Sequence, residues 1–170
     1  MRGRSPDAIW QLAQANLARQ RAPLADPAMA EFVAALDPVN RIAEHSPGFV
    51  WRLRSSEHHG ATTVWRGSYS VVVNLSVWES YEALHAFVYR SPHGAFLRHR
   101  ARWFESLPQP STVLWWVTAN ERPTVDQALT RLRYLQAHGS SPQAFTLRRR
   151  FDPHGRPQSA RKQRARPLRS

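Results

Sequence analysis

No cysteine occurs among the 170 residues. This excludes disulfide scaffolds, thiolate nucleophiles, zinc ribbons and iron–sulfur sites together. No stretch approaches the roughly 18 to 20 uninterrupted apolar residues of a membrane span. The opening MRGRSPDAIWQL has no hydrophobic signal core, so a cytoplasmic protein without membrane contact is expected. A nucleotide-binding glycine loop, a GxSxG elbow and internal repeats are all missing. The eight histidines show neither HxxxH nor HxH spacing, and no metal site is expected. Acidic residues are few, 12 against 24 Lys and Arg, and form no paired-carboxylate constellation. Lysine is nearly absent: 23 arginines stand beside one lysine, a bias that fits GC-rich coding better than selection for a charged surface.

What is present is a core-forming chain with a basic end. Apolar residues make up 42 %, enough for one domain of ordinary size. The net charge of +12 divides unevenly: residues 148–170 carry nine basic residues and one acid, and the rest of the chain is nearly balanced. The expected organisation is a short extension over 1–8, a folded domain over 9–151 and a disordered Arg-rich tail over 152–170. The tail has no aromatic stacking platform and no amphipathic period, so at most weak, sequence-blind polyanion binding is expected.

Ile9–Leu17 reads as a strand, and residues 19–25 as a loop. Asp26-Pro27 gives a cap-then-proline helix start, with Pro38 predicting a kink or a restart capped by Asp37. Phe49–Arg54 is a second strand. Residues 55–70 are a loop that holds some strand ends, and Val71–Trp78 is the clearest strand. Ser80 caps a helix bearing Tyr81, Leu84, Phe87 and Val88, and Ser91-Pro92 predicts another over 92–105. Thr112–Val117 is a fourth strand. Thr124-x-x-Gln127 is a capping box that opens a helix closed by Gly139, and residues 145–151 add a short edge strand. The order β-α-β-β-α-β plus a final helix is the ferredoxin-like split βαβ arrangement, an α+β fold. In it the helices cover one sheet face. Val71, Val73, Leu75 and Val77 make the other face apolar, and the expected cover is a second copy of the chain, a homodimer.

Asn74 and Trp78 lie four apart on the third strand and point to one side. An amide inside VVVNLSVW requires partners. It either makes a strand-edge or capping contact or donates to a ligand carbonyl or oxyanion. Trp78 is either core or a flat wall for an aromatic ligand. On a helical wheel His93 and Arg100 fall inside the stripe of Phe96, Leu97, Trp103 and Phe104. The buried arginine then satisfies its fork within the core or lines a pocket. Gln14, Asn16, Arg52 and Trp116 are further candidates on facing strands.

The segments LAQANLARQRAPLADPAMAEFVAALDPVN, SPGFVWRL, VVVNLSVWESYEALHAFVYRSPHGAF, WFE, LWWV and RPTVDQALTRLRYLQAHG, in that order from about Ile9 to Phe151, resemble the domain-of-unknown-function 3291 family. That family is similar to the dimeric α/β barrels, which include antibiotic-biosynthesis and haem-degrading monooxygenases. In the cofactor-free, quinone-forming members an asparagine and a tryptophan four apart on the third strand line the pocket, and Asn74 and Trp78 match that pair. The resemblance implies a cofactor-independent monooxygenase-like enzyme acting on a small aromatic or polyketide-like compound. Asn74, Trp78 and Arg100 would then carry the chemistry, and Gln14, Asn16, Arg52, His93, Trp103 and Trp116 would bind substrate. The alternatives are a non-catalytic small-molecule-binding or scaffold protein, and a haem protein using His99 or His93 as iron ligand.

Overall fold

Three long strands set the architecture. The computed structural model describes residues 8–55, 62–90, 98–107 and 109–159. β1 (Trp10–Gln20) is central, and β2 (Phe49–Arg52), β3 (Thr62–Arg66) and β4 (Tyr69–Trp78) follow it. β4 pairs antiparallel with one edge of β1, while β5 (Phe104–Glu105) and β6 (Thr112–Thr118) pair with the other. β2 and β3 lie in succession along the outer edge of β4. Helices α1 (Ala30–Glu44) and α2 (Tyr81–Arg90) make the two crossovers, and the sheet order β6-β1-β4-β2 is that of the ferredoxin-like α+β fold.

Local chemistry explains the element ends. Asp26 Oδ1 accepts the Ala28 N–H at 2.8 Å and opens the single turn Pro27–Met29 that leads into α1. Ser80 Oγ accepts the Ala83 N–H at 3.2 Å at the start of α2. Gly48, with φ of +79°, sits so close to α2 that a Cβ there would meet that of Ala83 at 2.5 Å. The predicted restart at Asp37 does not occur: α1 runs unbroken through Pro38. Ala34, whose carbonyl loses its helical partner to the proline ring, is exposed beside Asp37 and Pro38, where solvent can reach that carbonyl.

The helix predicted over 92–105 is also corrected. Residues 91–97 lie outside the described residues, but Arg100–Arg102 form one 3-10 turn and Phe104–Glu105 join the sheet. β1 extends to Gln20, through what reads as loop, and its edge claims this backbone: Glu105 and Phe104 pair with Arg19 and Gln20, and the Arg21 N–H donates to the Trp103 carbonyl at 2.9 Å.

α1 and α2 cover one sheet face. The opposite face is not bare, and this removes the ground for a homodimer built on it. α3 (Val125–His138) lies across it, opened by the capping box in which Thr124 and Gln127 exchange bonds of 2.9 and 3.2 Å. Ala128, Leu132 and Leu135 pack on Ala13, Ala15, Val113 and Trp115 and on the β4 row. Val71, Val73, Leu75 and Val77 are 1, 3, 1 and 0 % exposed within one chain. The small side chains of β1 let the helix come close, and each buried valine or leucine contributes roughly 1.5–3 kcal/mol.

Beyond α3 the chain crosses back. Phe145 and Leu114 exchange two backbone hydrogen bonds of 2.9 Å, and β7 (Arg150–Phe151) pairs with β8 (Pro157–Gln158). Hydrogen-bonded backbone therefore continues past the boundary drawn at Phe151, with Asp152 closing the turn on the N–H groups of His154 and Arg156. Residues 160–170 lie outside the described residues. Among the described residues no helix is long and apolar enough to cross a membrane.

Candidate functional site

Strand register, which one sequence leaves open, builds the site. On the face under α1 and α2, Thr112, Asn16 and Asn74 lie side by side across β6, β1 and β4. The next row holds Leu114, Gln14, Ser76 and Arg52, and the row beyond it Trp116, Leu12, Trp78 and Phe49. A polar band thus crosses the sheet between two apolar clusters. One is formed by Leu12, Trp78, Leu84, Phe87 and Phe145, the other by Ala18, Val72, Phe32, Trp103 and Phe104. Over the band lies a cavity of about 290 Å³. Val39, Asn40 and Ala43 of α1 bound it, as do Leu84, Phe87, Val88 and Tyr89 of α2, with Arg100 and Leu147 completing the wall.

Six of the residues singled out from the sequence line this cavity: Gln14, Asn16, Arg52, Asn74, Trp78 and Arg100. Asn74 is exposed into it, and its amide has no hydrogen-bond partner among the described residues. Trp78 is 1 % exposed, stacks on Phe87 at 5.1 Å between ring centroids and meets the ring of Phe49 edge-on. With one face taken by Phe87, it acts as a wall more than as an open platform. Its indole N–H donates to Ser76 Oγ at 3.0 Å, and Ser76 in turn donates to Gln14 Oε1 at 3.1 Å. That relay occupies the Gln14 oxygen and leaves its NH₂ group as a donor. Asn16 is oriented the other way: its Nδ2 donates to Thr112 Oγ1 at 2.6 Å, so its oxygen is the free end.

The two lining arginines differ. Arg52 Nε donates to Glu44 Oε1 at 2.7 Å, and Arg54 donates to the same oxygen at 3.0 Å. The hydrogen bond from Arg52, with the charges of Arg52, Arg54 and His45, holds the Glu44 carboxyl below its ordinary range against the opposing effect of burial. Arg100 is half-buried and has neither acid nor carbonyl partner among the described residues.

The other candidates lie elsewhere. Trp103 packs on Phe32 at 5.9 Å in the second cluster, because the chain there is sheet edge and not helix. Trp116 lies one row beyond the polar band, and its indole N–H donates to the Phe151 carbonyl at 2.7 Å. His99 is exposed outside the cavity, and His93 falls outside the described residues. No histidine among the described residues lines the cavity to ligate a haem iron. Among the described residues no group of three or more His, Asp or Glu could hold a metal ion.

Sequence reasoning missed Asn40, Tyr89, Thr112 and Leu147. Asn40 had a signal, lying four residues after Leu36 on the apolar stripe of α1. Leu147 had none, since it depends on the return of the chain after α3. There Tyr81 Oη donates to the Leu147 carbonyl at 3.3 Å, and the Arg150 guanidinium lies 3.6 Å over the Tyr81 ring. Burial raises the Tyr81 phenol above its ordinary value, so it stays protonated as a donor.

The fold and site define a ferredoxin-like α+β protein with one helix-covered, polar-floored cavity. Residues 11–162 match the family described as Domain of unknown function (DUF3291), and the chain belongs to that family. Among curated proteins no sequence matches it. A protein of unknown function from Nitrosomonas europaea, NE2512, is similar in structure at 14 % identity and a TM-score of 0.41, over 69 % of this chain and 96 % of that one. The monooxygenase ActVA-Orf6 of Streptomyces coelicolor, solved with nanaomycin D, is similar at 19 % identity and a TM-score of 0.35, over 71 % and 95 %. SnoaB, a cofactor-independent oxygenase from Streptomyces nogalater, is similar at 18 % identity and a TM-score of 0.35, over 68 % and 96 %.

Proposed function

We propose that the cavity binds a small planar compound bearing a carbonyl or phenol and promotes its oxidation by dioxygen without a bound cofactor. One observation carries this reading: the donors of Asn74 and Arg100 and the NH₂ of Gln14, without partners among the described residues, share a cavity whose other walls are Trp78, Phe87 and Phe49. Donors fixed in advance stabilise an oxyanion as it forms, and each is worth about 10²–10³ in rate where it acts on the transition state. Loss of a proton from an activated CH₂ or phenol gives an electron-rich enolate or phenolate held on these groups. Its carbon reacts with dioxygen to a hydroperoxide, and loss of water leaves a carbonyl. Overall CH₂ and O₂ become C=O and H₂O.

The test is oxygen uptake by the full chain with a panel of naphthols and tetralones, with quinone followed by absorbance. Uptake equal to quinone formed, reduced about 10²-fold in Asn74→Ala, is the expected result. Saturable binding with no uptake by any compound would overturn the enzymatic reading. It would leave a small-molecule-binding protein, a second reading favoured by one observation: no carboxylate or imidazole lines the cavity among the described residues.

A further inference from the structure

The charge and size of the cavity identify its ligand more closely. We infer that the ligand is a small organic anion, an aromatic carboxylate of one or two fused rings whose acid group pairs with Arg100. This rests on reading the cavity as the ligand site and holds whether or not oxygen is consumed there.

Three acids of the described residues are already committed to other arginines. Glu44 is committed to Arg52 and Arg54, Glu105 to Arg19 at 2.9 Å, and Glu31 to Arg102 at 3.2 Å. Arg102, two residues from Arg100, takes Glu31 of α1. Residues 91–99, SPHGAFLRH, contain no acid that could serve Arg100 from its own segment. The cavity lining thus carries one guanidinium neutralised by Glu44 and one with no acid partner among the described residues. A half-buried, unmatched cation strengthens binding of an anion more than an exposed one does, and the planar fork of arginine fits a carboxylate with two parallel hydrogen bonds.

Size and polarity set the rest of the molecule. A sealed apolar space of about 150 Å³ takes one benzene ring, so the cavity of about 290 Å³ matches two fused rings with a small acid group better than three or four. The lining is also divided. Asn74, Gln14 and Asn16 present amides from the sheet, whereas Phe49, Leu84 and Leu147 present hydrocarbon. An acid with a polar ring substituent at one end and a bare ring at the other matches both halves.

The experiment is calorimetric titration of the full-length chain with 2-naphthoate, its neutral amide, and anthracene-2-carboxylate, repeated on Arg100→Gln and Arg100→Lys. Naphthoate is expected to bind with one-to-one stoichiometry at least about tenfold tighter than the amide, and the three-ring acid about tenfold more weakly than naphthoate. Arg100→Gln, checked for an unchanged melting curve, is expected to erase the preference for acid over amide, and Arg100→Lys to keep part of it. The basic C-terminal residues are unchanged in these variants, so a preference of their making would survive Arg100→Gln. Such survival, equal binding of acid and amide to the wild type, or no binding of any probe would each overturn the inference. Acid-selective binding without oxygen uptake would sink the oxygenase reading and leave this one standing. Oxygen uptake on neutral substrates without acid preference would do the reverse.

Discussion

The two faces of the sheet are built on opposite rules. Under α3 the inward positions from Ala13 to Leu17 of β1, Val71 to Val77 of β4 and Val113 to Val117 of β6 are apolar, and the helix lies flat on a surface of Ala, Val, Leu and Trp. Under α1 and α2 the rows through Asn16 and Gln14 place amides, hydroxyls and a guanidinium between two apolar clusters. A helix laid flat there would bury groups that must be hydrogen-bonded or wet. The helices instead pack on the clusters at either end and bridge the band, leaving the cavity between. One face is closed core and the other holds a cavity, and the alternation of a single strand, β4, writes both.

The largest expected effect comes from breaking the apolar face. Val73→Asp places an unpaired charge between sheet and α3, at a cost of roughly 3–5 kcal/mol. For a chain of this size that lowers the melting temperature by about 2–4 °C per kcal/mol. Because α3 completes this face within one chain, the urea midpoint of wild type and variant is expected to be independent of protein concentration. A midpoint that rises with concentration would mean that a second copy completes the face.

Much of this contrast can be read in the sequence, and the physical reasons for the rest are specific. Alternation in VVVNLSVW separates the two faces of β4, and the spacing of Val125, Ala128, Leu132 and Leu135 marks α3 as amphipathic. The sequence does not say which face α3 covers, so a bare face is the natural reading, and the fold corrects that premise. The pocket side of Asn74, Trp78, Gln14, Asn16 and Arg52 is legible from period two alone. Their common location depends on register, which is a property of pairs of strands. Arg100 reaches the cavity for a reason the wheel did not contain, since the chain around it is a 3-10 turn beside a sheet edge. Trp103 was misplaced by the same error, because its N–H closes the 3-10 turn on the Arg100 carbonyl and its own carbonyl accepts from Arg21 at the end of β1, so no α-helix runs through it.

Two smaller changes probe each side separately. Thr124→Ala removes the capping-box bond at the start of α3 and should cost about 1 kcal/mol in urea denaturation. Ligand affinity should stay unchanged, because α3 lies on the other face. Glu44→Gln acts through Arg52 on the cavity side. The Glu44 carboxyl is held below its ordinary range in the folded chain, so its contribution is present above that range and is lost as pH falls through the folded value. The variant should be less stable than wild type at pH 7, with the gap closing toward pH 3. A gap that stays constant with pH would show that the pairing with Arg52 and Arg54 does not stabilise the fold.

The smallest effect on stability is expected at Asn74, and it sharpens the contrast most. Its amide has no partner among the described residues and is exposed in the cavity, so Asn74→Leu breaks no bond within the chain. Its stability should stay within about 0.5 kcal/mol of wild type, the range of substitutions away from packed or bonded sites. Asn16→Leu, one strand away in the same row, breaks the 2.6 Å bond to Thr112 and should cost about 1 kcal/mol more. Binding should rank the two differently, because Asn74→Leu removes a donor that only a ligand uses and should weaken naphthoate binding several-fold in calorimetry. A loss of more than 1 kcal/mol of stability in Asn74→Leu would show that the amide serves the fold, and the polar band would then be a structural network and not the floor of a site.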